Sequence, residues 1–131
     1  MSKKATLRTD GGSRGNPGPA AFAFILEIEG DSRIECNGFM GDSTNNIAEY
    51  TALVKGLEQA RKSDIDSLVV YSDSELMVNQ LLGAYKVKNA GLLPLYRQAR
   101  SLADEFATIG FKHVYRENNK RADELCNEAL D

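Results

Sequence analysis

Four acidic residues lie in sequence contexts that could bring their carboxylates together as a metal site. Asp10 directly precedes two glycines, Glu49 follows the polar run STNN, Asp73 comes two residues after the apolar run VVY, and Asp123 lies in RADELCNEAL. Carboxylates without Cys or His partners suit Mg²⁺ or Mn²⁺ better than zinc. Close carboxylates repel each other unless cations neutralise them, and two cations about 4 Å apart serve phosphodiester hydrolysis. The four acids therefore predict a divalent-metal site acting on phosphate esters.

Each acid also has a structural interpretation. Asp123 could favour the dipole at the start of a helix, and Asp73 could cap a following helix. Glu49 could be solvated, and Asp10 before Gly-Gly could belong to a turn. For each acid considered alone, the structural role is at least as well supported as the metal-binding role. The sequence around each acid is therefore needed to distinguish the two.

The elements that position these acids follow from periodicity. The alternation of 4–10, the apolar run 21–29 and the segment 33–41 predict three strands joined by short turns, which indicates an antiparallel meander. Helical spacing begins at Thr44. The run 67–71 suits a buried strand, 74–82 and 92–106 suit helices, 111–115 a last strand, and residues from 119 onward a last helix.

The predicted order is βββαβααβα, an α/β fold. A helix crossing between two strands usually leaves them parallel. We therefore expect a mixed five-stranded sheet, its first three strands antiparallel, flanked by helices. The acids fall at strand ends and at adjoining helix starts, where ligand sites of such sheets form.

Composition narrows the classes of protein. The 131 residues fit one domain, 1–131, and the net charge of −3 argues against binding nucleic acid by bulk basicity. No apolar run approaches the ~20 residues of a membrane span, and no apolar stretch follows the basic start. We expect a cytoplasmic monomer without a membrane partner. Cys36 and Cys126 lack metal or redox spacing, so reduced thiols are favoured over a disulfide between them.

Four segments carry a family resemblance. TDGGSRGNPGPAAFAFIL, STNNIAEYTALVKGLE, YSDSELMVNQL and RENNKRADELCNEAL resemble, in order, the four motifs of type 1 ribonuclease H, and together they extend from Thr9 to Leu130. The resemblance implies the ribonuclease H fold and a catalytic site in which Asp10, Glu49, Asp73 and Asp123 bind two Mg²⁺, with Mn²⁺ as a substitute. It implies hydrolysis of the RNA strand of an RNA/DNA hybrid, leaving 5′-phosphate and 3′-hydroxyl ends.

The same resemblance assigns substrate contacts. Asn16 and Asn46 match residues that touch the RNA strand, while Thr44 and Asn45 match residues that grip a phosphate of the DNA strand. Gly11 and Gly12 would let the backbone approach ribose 2′-hydroxyls. A tight turn at Asn16 and helix capping at Thr44 and Asn45 are compatible structural roles.

The chain departs from the family pattern in two places. The segment 83–93 has no Trp and only Lys86 and Lys88, so the basic handle of many relatives is missing. The Gly-rich loop that carries a mobile His is replaced by HVYRENN. We expect His113 to be structural, inside the last strand, and Arg116 to lie near the loop tip and contact substrate. This short variant resembles archaeal and some bacterial members, some of which also cleave double-stranded RNA.

Two other functions stay open from the sequence. One is a non-catalytic nucleic-acid-binding module that keeps the fold, although four intact acids argue against it. The other is a different nuclease of the same superfold, such as an exonuclease, resolvase or transposase core. The Gly-rich hairpin and the TNN run favour ribonuclease H, since fold alone does not decide function.

Overall fold

The structure, a computed structural model, describes residues 3–131 and contains the predicted order of strands and helices. The strands are β1 (Lys4–Ser13), β2 (Gly18–Ile28), β3 (Arg33–Ser43), β4 (Ser67–Ser72) and β5 (Thr108–His113). The helices are α1 (Asn45–Lys62), α2 (Glu75–Leu81), α3 (Leu93–Ala103) and α4 (Lys120–Leu130), with a short 3-10 helix over Arg116–Asn118. The predicted α/β fold is confirmed.

The sheet has the order β3-β2-β1-β4-β5. β1 and β3 both pair antiparallel with β2, whereas β4 pairs parallel with β1 and β5 pairs parallel with β4. The central strand is therefore β1, which runs between an antiparallel hairpin and a parallel crossover. Asp10 consequently lies in the middle of the sheet.

Helices pack on both faces of the sheet. On one face, buried residues of α1 such as Leu53 and Leu57 join Leu7, Phe24 and Val70 in the larger core. On the other face, α4 covers a smaller core that consists of Ala21, Ala23 and Ile25 from β2 with Ala122, Leu125 and Cys126. The two-sided burial explains why the segment 21–29 reads as a continuous apolar run.

The bounds of several predicted elements were wrong. β2 begins at Gly18 rather than at 21, and β3 ends at Ser43 rather than at 41. β1 continues to Ser13 because Gly11, Gly12 and Ser13 stay paired with β2. The last strand is Thr108–His113 rather than 111–115, because its partner β4 sets the register from Ser67↔Thr108 to Ser72↔His113. α3 ends at Ala103, not at 106, although the side chain of Phe106 is buried in the core beyond the helix.

Both cysteines are free thiols. Cys36 packs against the larger core and Cys126 lies in the smaller one, so the sheet separates them. Burial, the largest cause, raises the pKa of Cys126 to about 12, and nearby carboxylates act in the same direction. The thiol therefore stays protonated at neutral pH. Within residues 3–131, no helix combines the length and the apolar character that crossing a membrane requires.

Candidate active site

Three of the predicted acids converge at one end of the central strand. One carboxylate oxygen from each of Asp10, Glu49 and Asp73 lies within 4.8 Å of the other two. They line a cleft of about 550 Å³, to which Asp123 also contributes. Asp10 comes from β1, Glu49 from α1, Asp73 from the residue after β4, and Asp123 from the first turn of α4. The structure thus brings all four acids to one cleft.

Side-chain alternation along β1 explains the convergence. Leu7 faces the larger core, so Asp10, three residues on, points to the opposite face, on which α4 packs. Asp123 can therefore reach Asp10 from the first turn of α4. Glu49 reaches the same point from α1, which packs on the other face. The site lies where these two layers meet at the sheet.

Glu49 is held by two donors. The main-chain N–H of Gly11 donates to its Oε1 over 2.7 Å, and the buried Ser72 hydroxyl donates to its Oε2 over 3.5 Å. The side chain is only 7% exposed, so it is not the solvated residue of the structural interpretation. Its orientation is set by β1 and β4 together.

Asp73 is free of a capping role. Ser74 caps α2, accepting a hydrogen bond from the Met77 N–H over 3.2 Å, and Ser74 in turn donates its own N–H to Ser72 Oγ. The turn after β4 is therefore stabilised by serines on either side of Asp73. Its carboxylate is left to face the cleft.

Burial and mutual repulsion disfavour the charged forms of Asp10, Glu49 and Asp73. Burial, followed by the charges of Asp73 and Asp123, raises the pKa of Asp10 to about 7. Burial and the Asp10 charge also raise the pKa of Glu49 well above its usual range, and burial raises the pKa of Asp73. With a pKa of about 7, the Asp10 carboxyl is partly protonated at neutral pH, and a divalent cation would displace that proton. The oxygen-only donor set fits a hard divalent cation.

Arg116 places a positive charge beside the acids of the cleft. Its Nη2 lies 3.1 Å from Oδ1 of Asp123, and its side chain is 73% exposed. The positive charge of Arg116 lowers the pKa of Asp73, although burial, the larger cause, leaves that pKa raised. Arg116 begins the 3-10 helix that follows β5, and its side chain lines the cleft.

Three hydrogen bonds hold Asn45 at the start of α1. Asn45 Oδ1 accepts hydrogen bonds from the N–H of Ser13 over 2.8 Å and from its hydroxyl over 3.0 Å, while Asn16 Oδ1 accepts the Asn45 N–H over 3.2 Å. Thr44 caps the helix through the Ile47 N–H. Asn45 and Asn46 line the cleft, whereas Asn16 and Thr44 are not among its lining residues.

The two glycines after Asp10 differ. A Cβ at Gly11 would lie 2.3 Å from the Ala48 carbonyl carbon, so this glycine permits β1 to touch α1. At Gly12 the nearest atom would be Asn45 Oδ1 at 3.9 Å, an ordinary contact. Of the two, only Gly12 has free space beside it for a ligand.

Several cleft residues were missed or placed differently by sequence reasoning. The cleft is also lined by Ser13, Arg14, Ser74, Tyr115 and Asn127. His113 lines the cleft because β5 ends at this residue, two positions earlier than predicted; its ring meets that of Tyr115 edge-on at 5.4 Å. An aromatic residue, Tyr115, next to Arg116 was the available sequence signal for a cleft-lining role, and the structure shows it exposed.

The fold and the carboxylate cluster define a class: an α/β protein of the ribonuclease H-like fold with an acidic metal-binding site. Residues 8–129 match a family model described as reverse transcriptase-like. Over 124 residues the chain is 44% identical to ribonuclease HI of Halobacterium salinarum, and over 143 residues 32% identical to ribonuclease H of Pseudomonas savastanoi. These alignments cover 93% and 100% of this chain, and 62% and 95% of the relatives. The chain belongs to the type 1 ribonuclease H family.

A longer relative and two solved structures support the assignment. The bifunctional protein Rv2228c of Mycobacterium tuberculosis is 42% identical over 98% of this chain, which spans only 36% of that relative. The structure of its N-terminal RNase H domain gives a TM-score of 0.95, covering 99% of this chain and 95% of that one. LC11-RNase H1, solved in complex with an RNA/DNA hybrid, is 39% identical with a TM-score of 0.89, at 97% and 96% coverage.

Proposed function

We propose that this chain is an endoribonuclease that hydrolyses the RNA strand of RNA/DNA hybrids, leaving 5′-phosphate and 3′-hydroxyl ends. The convergence of Asp10, Glu49 and Asp73 within 4.8 Å carries the proposal, together with family membership. The proposal assigns the activity to residues 1–131 as one catalytic domain. A non-catalytic module would have no chemical use for buried acids that repel one another.

Asp10, Glu49, Asp73 and Asp123 would hold two Mg²⁺, or Mn²⁺ in their place. The raised pKa values of Asp10, Glu49 and Asp73 mean that cation binding exchanges protons for metal, so affinity should rise with pH. When bound, such a pair of cations activates the attacking water and stabilises the leaving oxygen. The cleft residues around them bind and orient the nucleic acid.

The proposed substrate contacts use polar groups of the cleft that other residues of the protein leave available. Asn45 Oδ1 is used by Ser13, so its amide N–H groups are available to donate to phosphate or sugar oxygens. Asn46 extends the same surface, and Gly12 leaves room for a ribose 2′-hydroxyl. Arg116 is exposed enough to meet a phosphate oxygen. Thr44 and Asn16 support this surface through α1 and the β1–β2 hairpin.

A cleavage panel tests the proposal. The protein is incubated with end-labelled RNA/DNA hybrid, duplex DNA and duplex RNA of one sequence, each with Mg²⁺, Mn²⁺ or EDTA. We expect RNA fragments with 5′-phosphates from the hybrid, dependent on metal, and intact duplex DNA. Cleavage of duplex RNA would extend the substrate range, whereas an intact hybrid in both metals would refute the proposal.

A further inference from the structure

Asn119 connects two of the acids through its own atoms. Its Nδ2 donates to the main-chain carbonyl of Thr9 over 2.9 Å, and Thr9 directly precedes Asp10. Its main-chain carbonyl accepts the N–H of Asp123 over 3.1 Å. One residue is therefore bonded both to the neighbour of Asp10 and to Asp123 itself.

The Asn119 side chain does not serve the helix that it precedes. It occupies the N-cap position of α4, where an asparagine oxygen usually accepts from a helical N–H, yet it makes no capping bond. The side chain is 1% exposed, and Oδ1 is buried without a partner among residues 3–131. An unpaired buried acceptor is costly. The side-chain amide thus bonds to β1, and as a result the helix lacks a side-chain capping bond and Oδ1 lacks a hydrogen-bond donor.

The other contacts of α4 constrain Asp123 less. Ala122, Leu125 and Cys126 pack against β2 through apolar contacts, which are not directional. Cys126 Sγ also donates to the Ala21 carbonyl over 3.4 Å, at a position C-terminal to Asp123. Asn37 Nδ2 donates to the Leu125 carbonyl, which lies on the C-terminal side of Asp123. The Arg116–Asp123 pair at the first turn is largely exposed. Asn119 makes the buried, directional bond at the start of the helix.

From this geometry we propose that Asn119 is a positioning residue that holds Asp123 at the distance from Asp10 needed to share a cation. Asn119 does not line the cleft, so it acts through Asp123 and not on substrate. The inference rests on the proposed function only in taking Asp123 as a metal ligand.

Mn²⁺ titration calorimetry without nucleic acid tests it. We expect Asn119→Ala to weaken Mn²⁺ binding by at least about tenfold, approaching the loss in Asp123→Asn. In the Asp123→Asn background, Asn119→Ala should cause no further loss, because its effect passes through that carboxylate. Asn119→Asp keeps the side-chain volume but cannot donate to Thr9, so it should behave like Asn119→Ala.

Arg8→Ala is the matched control. Arg8 Nη1 donates to the Asn118 carbonyl over 2.8 Å, an exposed link between the same two segments, and this variant should bind Mn²⁺ like wild type. Unchanged Mn²⁺ affinity in folded Asn119→Ala, or equal losses with and without the Asp123 carboxylate, would overturn the inference. So would loss of the fold in both Asn119 variants, which would make Asn119 a folding residue. A wild-type protein that binds Mn²⁺ as expected but leaves hybrids intact would refute the proposed function alone.

Discussion

The Gly11 main-chain N–H donates to Glu49 Oε1 over 2.7 Å, and this bond exists only because Gly11 has no side chain. A Cβ there would overlap the Ala48 carbonyl group and the Glu49 nitrogen, at 2.3 to 2.5 Å. This close approach of β1 to α1 therefore coincides with the bond that orients a predicted metal ligand. Packing and metal binding depend on the same glycine.

Gly11→Ala should lower stability by about 3 kcal/mol, because overlap with backbone atoms forces β1 and α1 apart. Gly12→Ala is the matched control, since its Cβ would meet nothing closer than 3.9 Å. Thermal melting of both variants measures the difference. Equal melting temperatures for the two would show that the strand–helix contact adjusts without cost.

Asp10→Asn should be more stable than wild type in EDTA above pH 7. Burial and two neighbouring charges raise the folded-state pKa of Asp10 to about 7, above the ~3.9 of an unfolded chain. Between these values the folded protein holds a proton that the unfolded chain has lost, so stability falls as pH rises. Asparagine has no carboxyl group to titrate, so the variant should not lose this stability as the pH rises.

The pH series gives this prediction its control. The melting temperature of Asp10→Asn should exceed that of wild type by at least about 3 °C at pH 7.5, with the gap closing toward pH 4. A lower melting temperature for Asp10→Asn than for wild type at pH 7.5 would contradict the prediction. So would a difference in melting temperature that does not change with pH, because the Asp10 charge would then not destabilise the folded protein.

The sequence predicted the element types, their order and the four acids, since periodicity and the four motifs are local signals. Strand ends that depend on pairing with another strand have no local signal in the sequence. Gly11 to Ser13 belong to β1 because β2 supplies their pairing partners, and the bounds of β5 are set by its register with β4. In the sequence, Asn119 only marks the start of the predicted last helix. Its bond to Thr9 joins residues 110 positions apart, which no local pattern reveals.

Arg116→Ala should reduce turnover about ten- to a hundredfold, roughly 1.4 to 2.7 kcal/mol, because an exposed cation beside Asp123 is lost. Arg116→Lys should recover part of the lost turnover, because lysine keeps the positive charge but lacks the planar guanidinium group that can donate two parallel hydrogen bonds. His113→Ala is expected to lower the melting temperature and keep turnover, because its ring packs against Tyr115.

Steady-state kinetics on the Arg116 and His113 variants, with melting curves alongside, separate these roles. A severe turnover defect in His113→Ala with a normal melting curve would instead make His113 a proton carrier in the cleft that it lines.

Hybrid binding should weaken only gradually with salt. The chain carries a net charge of −3, and the segment between α2 and α3 offers only Lys86 and Lys88. We expect the slope of log affinity against log salt to correspond to about four phosphate contacts or fewer. Fluorescence anisotropy with labelled hybrid in Ca²⁺ measures it. A slope equivalent to eight or more contacts would reveal a basic surface that this sequence does not suggest.

Cleavage of a labelled RNA/DNA hybrid in Mg²⁺ by wild type and by Asp10→Asn tests the metal site most directly. Asp10 is the acid at the centre of the sheet, and its carboxylate lies within 4.8 Å of those of Glu49 and Asp73. We predict metal-dependent cleavage by wild type and at least about a hundredfold slower cleavage by the folded variant. A folded Asp10→Asn protein that keeps more than a few per cent of the wild-type rate would contradict the assignment of this cluster as the catalytic site.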